Sequence, residues 1–543
     1  MKINKTTNRF AMQKVNMKSV LSSIIVVLTI QTLQAQEIRK TPRLMVGITI
    51  DQLRGDYLEA FYDAFGENGF KRLFRDGLVY RNVSFDFENP DASSSIASIY
   101  TGTNPDYHGI MGNTWYDYKE KKNVFSTYDA AFMGYATDES TSPKRLLVST
   151  IADELENESG GKADIFSIAP DKEAAILAGG RSATAAFWIQ DYTGKWASST
   201  YYGDLPWWFT KYAEKSSLND RIGGLQWKPL VSIDNYTLVQ EQPEDFTHAI
   251  GDGQYIQFKN SPFVNTEINA LVSECFEYGA IGKRGVTDLL LITYSARNYQ
   301  QMSMKTFPVE MMDVYLRLDK EIEQLLQTID KNVGLDNVAL FLTSTGYVDY
   351  KDPIDLKEDK TINGEFKLDR CVSLLNMYLM ALYGKETWVE SATKDQIFLN
   401  RKLIEEKKID LREMQDKATA FLMDFAGIQN VFPSYKLVGG GEGETLAHLK
   451  KGYYYKYVGD LFYEIQPGWI LNIPDSQLQV VRKDAFNFPL IFFGSGIVAE
   501  QVVRPVSTSE IAPTVARIMR IRSPNAAMAS PAYEIMKNNK IVK

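Results

Sequence analysis

The sequence predicts an α/β fold in which a mostly parallel sheet is sandwiched by helices. Three observations carry this reading. Five short segments, Leu44 to Ile50, Asp164 to Ile168, Leu289 to Thr293, Val338 to Leu342 and Pro489 to Phe493, are almost uniformly apolar, which is how strands covered on both faces read. Helical patterns intervene, from Val309 to Ile329 and from Ser509-Glu510 to Ile518, and strands alternating with helices imply parallel crossovers. The chain of 543 residues, 44% hydrophobic and 24% charged, is long enough for two or three domains and is neither disordered nor fibrous.

Taken in order, the N-terminus reads as a signal peptide over residues 1–35. Lys14 and Lys18 precede an apolar run from Val20 to Ile30, and Leu33-Gln34-Ala35 offers a small-residue cleavage site. That run is too short for a membrane span, which needs roughly 20 apolar residues, and no later window qualifies. A periplasmic or secreted protein is expected. Without the five cations of residues 1–36, the remainder stands at −13, 55 cations against 68 acids. Such a surface repels phosphate backbones and argues against nucleic acid as a partner.

The predicted organisation is a core over 41–187, a cap insertion over 188–285, core again over 286–350, a second insertion over 351–480, and a last core part over 481–537. The insertions interrupt the strand–helix rhythm with Trp, Tyr and Gly-rich sequence, including Trp207-Trp208 and Tyr453-Tyr454-Tyr455. Cys275 and Cys371 read equally well as a disulfide in an oxidising compartment or as two buried thiols.

Ligands of a parallel sheet gather beyond the carboxyl ends of its strands, so chemistry is sought there. The first strand delivers Asp51, a helix cap or a cation ligand. After it come Asn89-Pro90-Asp91-Ala92-Ser93-Ser94-Ser95, then Thr101-Gly102-Thr103-Asn104-Pro105, then His108-Gly109-Ile110-Met111-Gly112-Asn113. With Phe341-Leu342-Thr343, Phe488 to Gly494 and Ser509-Glu510-Ile511-Ala512-Pro513-Thr514, this order resembles the alkaline phosphatase superfamily, and within it the exported bacterial phosphate monoesterases related to nucleotide pyrophosphatases/phosphodiesterases.

The resemblance implies an alkaline-phosphatase-like sheet with two cap insertions, and two zinc ions held by three Asp and three His beside a Ser or Thr nucleophile. Carried over position by position, only Asp51 keeps a ligand. The other ligand positions fall on Asn298, Met302, Ser344, Thr345 and Asn487, residues that bind zinc poorly. The chain has three histidines in all, His108, His248 and His448, none at a ligand position. The nucleophile position is Ser93 counted from Pro90, or Ala92 counted back from Thr101-Gly102, with Ser94 and Ser95 as further alternatives. The Lys-x-Arg phosphate clamp falls on Asp171-Lys172-Glu173, where acids would repel phosphate, and only Asn113 matches a retained phosphoryl-oxygen donor. One carboxyl of Asp51, Asp171 and Glu173 is therefore expected to titrate upward or to find a donor such as Lys172 or Arg181.

The expectation is a non-catalytic member of the superfamily, binding an unknown ligand or an envelope protein, with no cofactor. The alternative is a phosphate ester hydrolase with a reduced or relocated metal site, for instance one using Asp51 and Asp349. A carbohydrate-facing role, suggested by 12% aromatic content, is a variant of the first.

Overall fold

The computed structural model describes residues 41–537 apart from 216, 237–245, 298, 300–308, 349–362, 440–442, 475–477 and 482–486. The signal peptide expected over 1–35 and Asp349 lie outside the described residues.

All five predicted strands form within one eleven-stranded sheet. In chain order its strands are β1 (Leu44–Asp51), β2 (Leu78–Ser84), β3 (Gly134–Tyr135), β4 (Ile165–Ile168), β5 (Ala185–Ile189) and β6 (Trp196–Ser199). β7 (Asp288–Ser295), β8 (Val338–Ser344), β9 (Phe488–Gly494), β10 (Glu500–Val502) and β11 (Val506–Ser507) complete it. The order across the sheet is β10-β2-β9-β8-β1-β7-β4-β5-β6-β3, with β11 beside β2. The central strands β8, β1, β7, β4 and β5 are mutually parallel. β9 runs antiparallel to both of its neighbours, so its first residues, not its last, lie at the carboxyl edge of the parallel strands.

Strand side chains alternate between two faces, and here both faces are dry. Val46, Ile48 and Ile50 of β1 join one core with Leu290, Ile292, Leu340 and Leu342. Met45 joins the other with Leu289, Leu291 and Phe341. This double burial is why the strands read as continuous apolar runs. Gly47 of β1 is glycine because a Cβ there would lie 2.9 Å from the Phe341 ring.

Helices cover each face. α1 (Ala92–Thr101) and α2 (Lys172–Gly179) pack on the second core. α3 (Phe263–Tyr278) and α4 (Val309–Asn332) pack on the first. α5 (Ile511–Met519) returns to the second. Residues between 188 and 285 share the sheet's first core, through Trp208, Trp227, Leu271 and Phe276, and β6 extends the sheet itself.

Residues 366–471 build a core of their own. A four-stranded antiparallel sheet, in the order Val389–Ala392, Gln396–Leu399, Leu461–Ile465, Ile428–Pro433, packs on helices Leu368–Tyr383 and Leu411–Met423. Its fully buried Asp460 accepts from Arg401 Nε at 2.9 Å, Gln415 Nε2 at 3.1 Å and the Leu399 N–H at 2.8 Å. Asp460 also receives the Tyr118 hydroxyl from the main body. Cys275 and Cys371 are free and buried in separate cores, so the disulfide alternative is set aside.

Candidate functional site

The carboxyl ends of β1, β7 and β4 bring three charged side chains together. Asp51 is the last residue of β1 and sits opposite Ser295, the last of β7. The Ala296 N–H bonds to the Asp51 carbonyl at 2.9 Å, which carries the pairing one residue further and presents Arg297. Its Nε donates to Asp51 Oδ2 at 2.6 Å, and its Nη2 donates to Asp171 Oδ2. Asp171 stands at the N-terminus of α2, just beyond β4. A guanidinium thus joins the carboxylate at the end of β1 to the one just beyond β4.

A second cation closes the arrangement. Lys259, 4% exposed, comes from the short helix Tyr255–Lys259 and lies 2.5 Å from Asp171 Oδ1, with Asp191 also on its ammonium. Burial alone would raise the Asp171 pKa, but Arg297 and Lys259 outweigh it and hold the carboxyl well below the usual range. Burial likewise opposes the charge of Arg297, and Asp171 and Asp51 together overcome that, so it stays a cation. Glu173, two residues on, has Lys172 at 3.8 Å and its own backbone N–H. Burial pushes its pKa up to about 7, against Lys172 and with a further push from Asp171.

β8 contributes Thr345, whose hydroxyl donates to Asp51 Oδ1 at 3.0 Å and accepts the Gln52 N–H at 2.9 Å. That second bond holds Gln52 in the left-handed region, φ 61°, a conformation costing a non-glycine residue on the order of 1 kcal/mol. Tyr347 adds its hydroxyl to Asp51. Ser344 turns away, its hydroxyl on the Leu53 carbonyl at 2.7 Å. Asn487 precedes β9, is exposed, and offers its backbone carbonyl to the Gly55 N–H at 3.2 Å. Asn298 and Met302 lie outside the described residues.

The nucleophile expectation on Ser93 meets a different geometry. Ser93 is fully buried and its hydroxyl shares a 3.0 Å hydrogen bond with Ser126, whereas Ala92, first residue of α1, lines the cavity. The helix begins at Ala92 and is capped by Asp91. Two amides of the first turn are bonded within the protein. Ser94 N–H donates to Asp91 Oδ1 at 3.0 Å, and Ser93 N–H to Asn113 Oδ1 at 3.1 Å. Asn113 itself lines the cavity, its own N–H held by Asp91 Oδ2 at 2.6 Å.

The cavity enclosed by these residues has a volume of about 290 Å³, with Asn260, Pro170 and Ala174 on its other walls. Two zinc ions do not fit this donor set. Both Asp51 oxygens are engaged, one by a guanidinium, and cationic Arg297 stands among the carboxylates that would have to receive the metal. Among the described residues no three His, Cys, Asp or Glu side chains converge as a metal-holding group. His108 is buried between Ser98 Oγ, 2.9 Å from Nε2, and the Ile110 N–H, 3.1 Å from Nδ1, and burial lowers its pKa to about 3. His248 sits 3.1 Å from Glu310 beside Trp227, Phe246 and Tyr299.

The expected upward titration falls on Glu173, and Lys172 serves Glu173 and Glu139. Arg181 does not take part. Its Nη2 goes to the Leu146 carbonyl. Sequence reasoning missed Arg297 and Lys259. Arg297 stands directly beyond the Leu289 to Thr293 strand, which was signal enough. Lys259 comes from the 188–285 segment and carried none.

A family model described as type I phosphodiesterase / nucleotide pyrophosphatase matches residues 45–479. A "Calcium-transporting ATPase" of Myroides odoratus is 30% identical over 96% of this chain and 100% of that protein. "Alkaline phosphatase PafA" of Elizabethkingia meningoseptica is 26% identical over 91% of this chain and 94% of its own length. A crystal structure of wild-type alkaline phosphatase PafA superposes with a TM-score of 0.80, at 26% identity, over 91% of this chain and 99% of that one.

Proposed function

The chain belongs to the type I phosphodiesterase / nucleotide pyrophosphatase family, within the alkaline phosphatase superfamily, and from that premise we propose that it is a non-catalytic, exported member that uses its cavity for binding. The observation that carries this is Arg297 between Asp51 and Asp171. A guanidinium has no acceptor for a substrate proton and cannot be deprotonated in a protein, so it supplies neither a base nor a Lewis acid that activates water. A hydroxyl nucleophile without a base or metal stays protonated at neutral pH, and the cavity wall at that position carries the methyl of Ala92. The Ser93 and Ser94 amides at the N-terminus of α1 are bonded within the protein, which removes two donors that could otherwise meet an oxyanion.

The test is metal content and turnover of the mature protein. Less than one zinc per chain and no hydrolysis of aryl phosphate mono- or diesters above background are expected, before and after zinc supplementation. The second reading, a phosphate ester hydrolase with a reduced or relocated metal site, is favoured by likeness to proteins named alkaline phosphatases over some nine-tenths of the chain. Zinc-dependent turnover abolished by Asp51→Ala would establish it and end the first.

A further inference from the structure

We propose that the cavity at the carboxyl ends of β1, β7 and β4 takes a neutral, hydroxyl-rich ligand of about monosaccharide size. This rests on the non-catalytic reading and names its ligand chemistry. The walls present acceptors and donors at close quarters. Asp51, Asp171 and Glu173 are carboxylates on the lining, and the ammonium beside Glu173, that of Lys172, stands 3.8 Å away.

Donors face the same space. Asn113 spends its carbonyl oxygen on the Ser93 N–H, which leaves its amide hydrogens for the cavity it lines. Arg297, which spends one N–H on Asp51 and one on Asp171, lines the cavity as well. Asn260 adds a further amide.

The hydrogen-bond inventory of common ligand groups decides among them. An anion such as a phosphate or a carboxylate would compete with Asp51, Asp171 and Glu173 for cations already paired to them. An ammonium only donates, so it could not receive the Asn113 amide or the Arg297 guanidinium. A hydroxyl does both and bridges a carboxylate to an amide, which is what vicinal hydroxyls on a ring offer. The carboxylates carry cations of their own, Arg297, Lys259 and Lys172, so a neutral guest disturbs none of these pairs. Tyr347 and Ala174 supply apolar surface for the ring carbons, and about 290 Å³ is at the small end of ligand pockets.

Calorimetry on the mature full-length protein tests this with glucose, galactose and N-acetylglucosamine as probes, and with inorganic phosphate and methylammonium as the anionic and cationic counterparts. A glycan array run alongside separates a free sugar from the end of a larger glycan, and saturable binding on either arm supports the proposal. Asn113→Ala is expected to weaken that binding at least about tenfold. Ala174→Phe, which fills the cavity without removing a hydrogen bond, is expected to abolish it, so the test survives a poorly folded Asn113 variant. Binding of phosphate or methylammonium in place of sugar, no sugar on either arm, or sugar binding indifferent to both variants would overturn it. Turnover read on the same preparation keeps the two conclusions apart. Hydrolysis would end the non-catalytic reading, whereas no hydrolysis and no sugar binding would sink only the ligand assignment.

Discussion

Arg297 Nε lies 2.6 Å from Asp51 Oδ2, in a chain whose family resemblance makes Asp51 a metal-ligand position. The same guanidinium reaches Asp171, which stands at a position where the resemblance puts a phosphate-binding cation. One guanidinium therefore pairs with two carboxylates, and Lys259 supplies the second cation at Asp171.

Removing that arginine leaves two largely buried carboxylates facing each other. Arg297→Ala is expected to destabilise the protein by about 3–5 kcal/mol, the usual range for breaking a buried pair from one side. Chemical denaturation measures this. The triple change Asp51→Asn, Arg297→Gln, Asp171→Asn is expected to recover most of the loss, and a triple variant as unstable as Arg297→Ala would show that charge is not the cause.

Glu173 makes stability depend on pH in a specific window. Its folded pKa of about 7 stands above the usual 4.5, so between those values the folded state holds the extra proton. Stability from this group falls as pH rises from about 4.5 to about 7 and is level outside that window, by at most about 3 kcal/mol. Glu173→Gln is expected to match wild type at pH 4.5 and to exceed it at pH 8. Asp171 works in the opposite sense. Its depressed pKa gives stability that is present above about pH 4 and lost as the pH falls further.

Ser93→Ala tests the buried position directly. The hydroxyl pairs with Ser126, and its loss is expected to cost about 1 kcal/mol by stranding that partner. Melting curves read the cost. A melting curve unchanged within error would show that the pair contributes nothing.

Ala92→Ser places a hydroxyl on the cavity wall without supplying a base or a metal. No aryl phosphate hydrolysis above wild type is expected, because an unactivated serine is a poor nucleophile. Turnover gained by this one change, with added zinc, would show that the remaining machinery is intact.

Asp460→Ala removes the buried carboxylate that collects Arg401, Gln415, the Leu399 N–H and Tyr118. Stranding so many donors is expected to cost 3 kcal/mol or more, on the order of a broken buried network. Loss of protection in residues 366–471 under hydrogen exchange, with the main sheet unaffected, is the expected signature.

The sequence by itself determined the fold, because strands buried on both faces must be apolar throughout, and the runs at Leu44, Leu289, Val338 and Pro489 had no other economical reading. Residue type was legible too, in that Ser344, Thr345 and Asn487 carry hydroxyls and an amide wherever they point. Only the tertiary structure decided which groups meet. That Ala92 lines the cavity while Ser93 is buried turns on where α1 begins, a shift of one residue that composition does not record. That Lys259 reaches Asp171 depends on a segment some ninety residues further along folding over the edge of the sheet, and side-chain partners so far apart in sequence are set by packing, which no local pattern encodes.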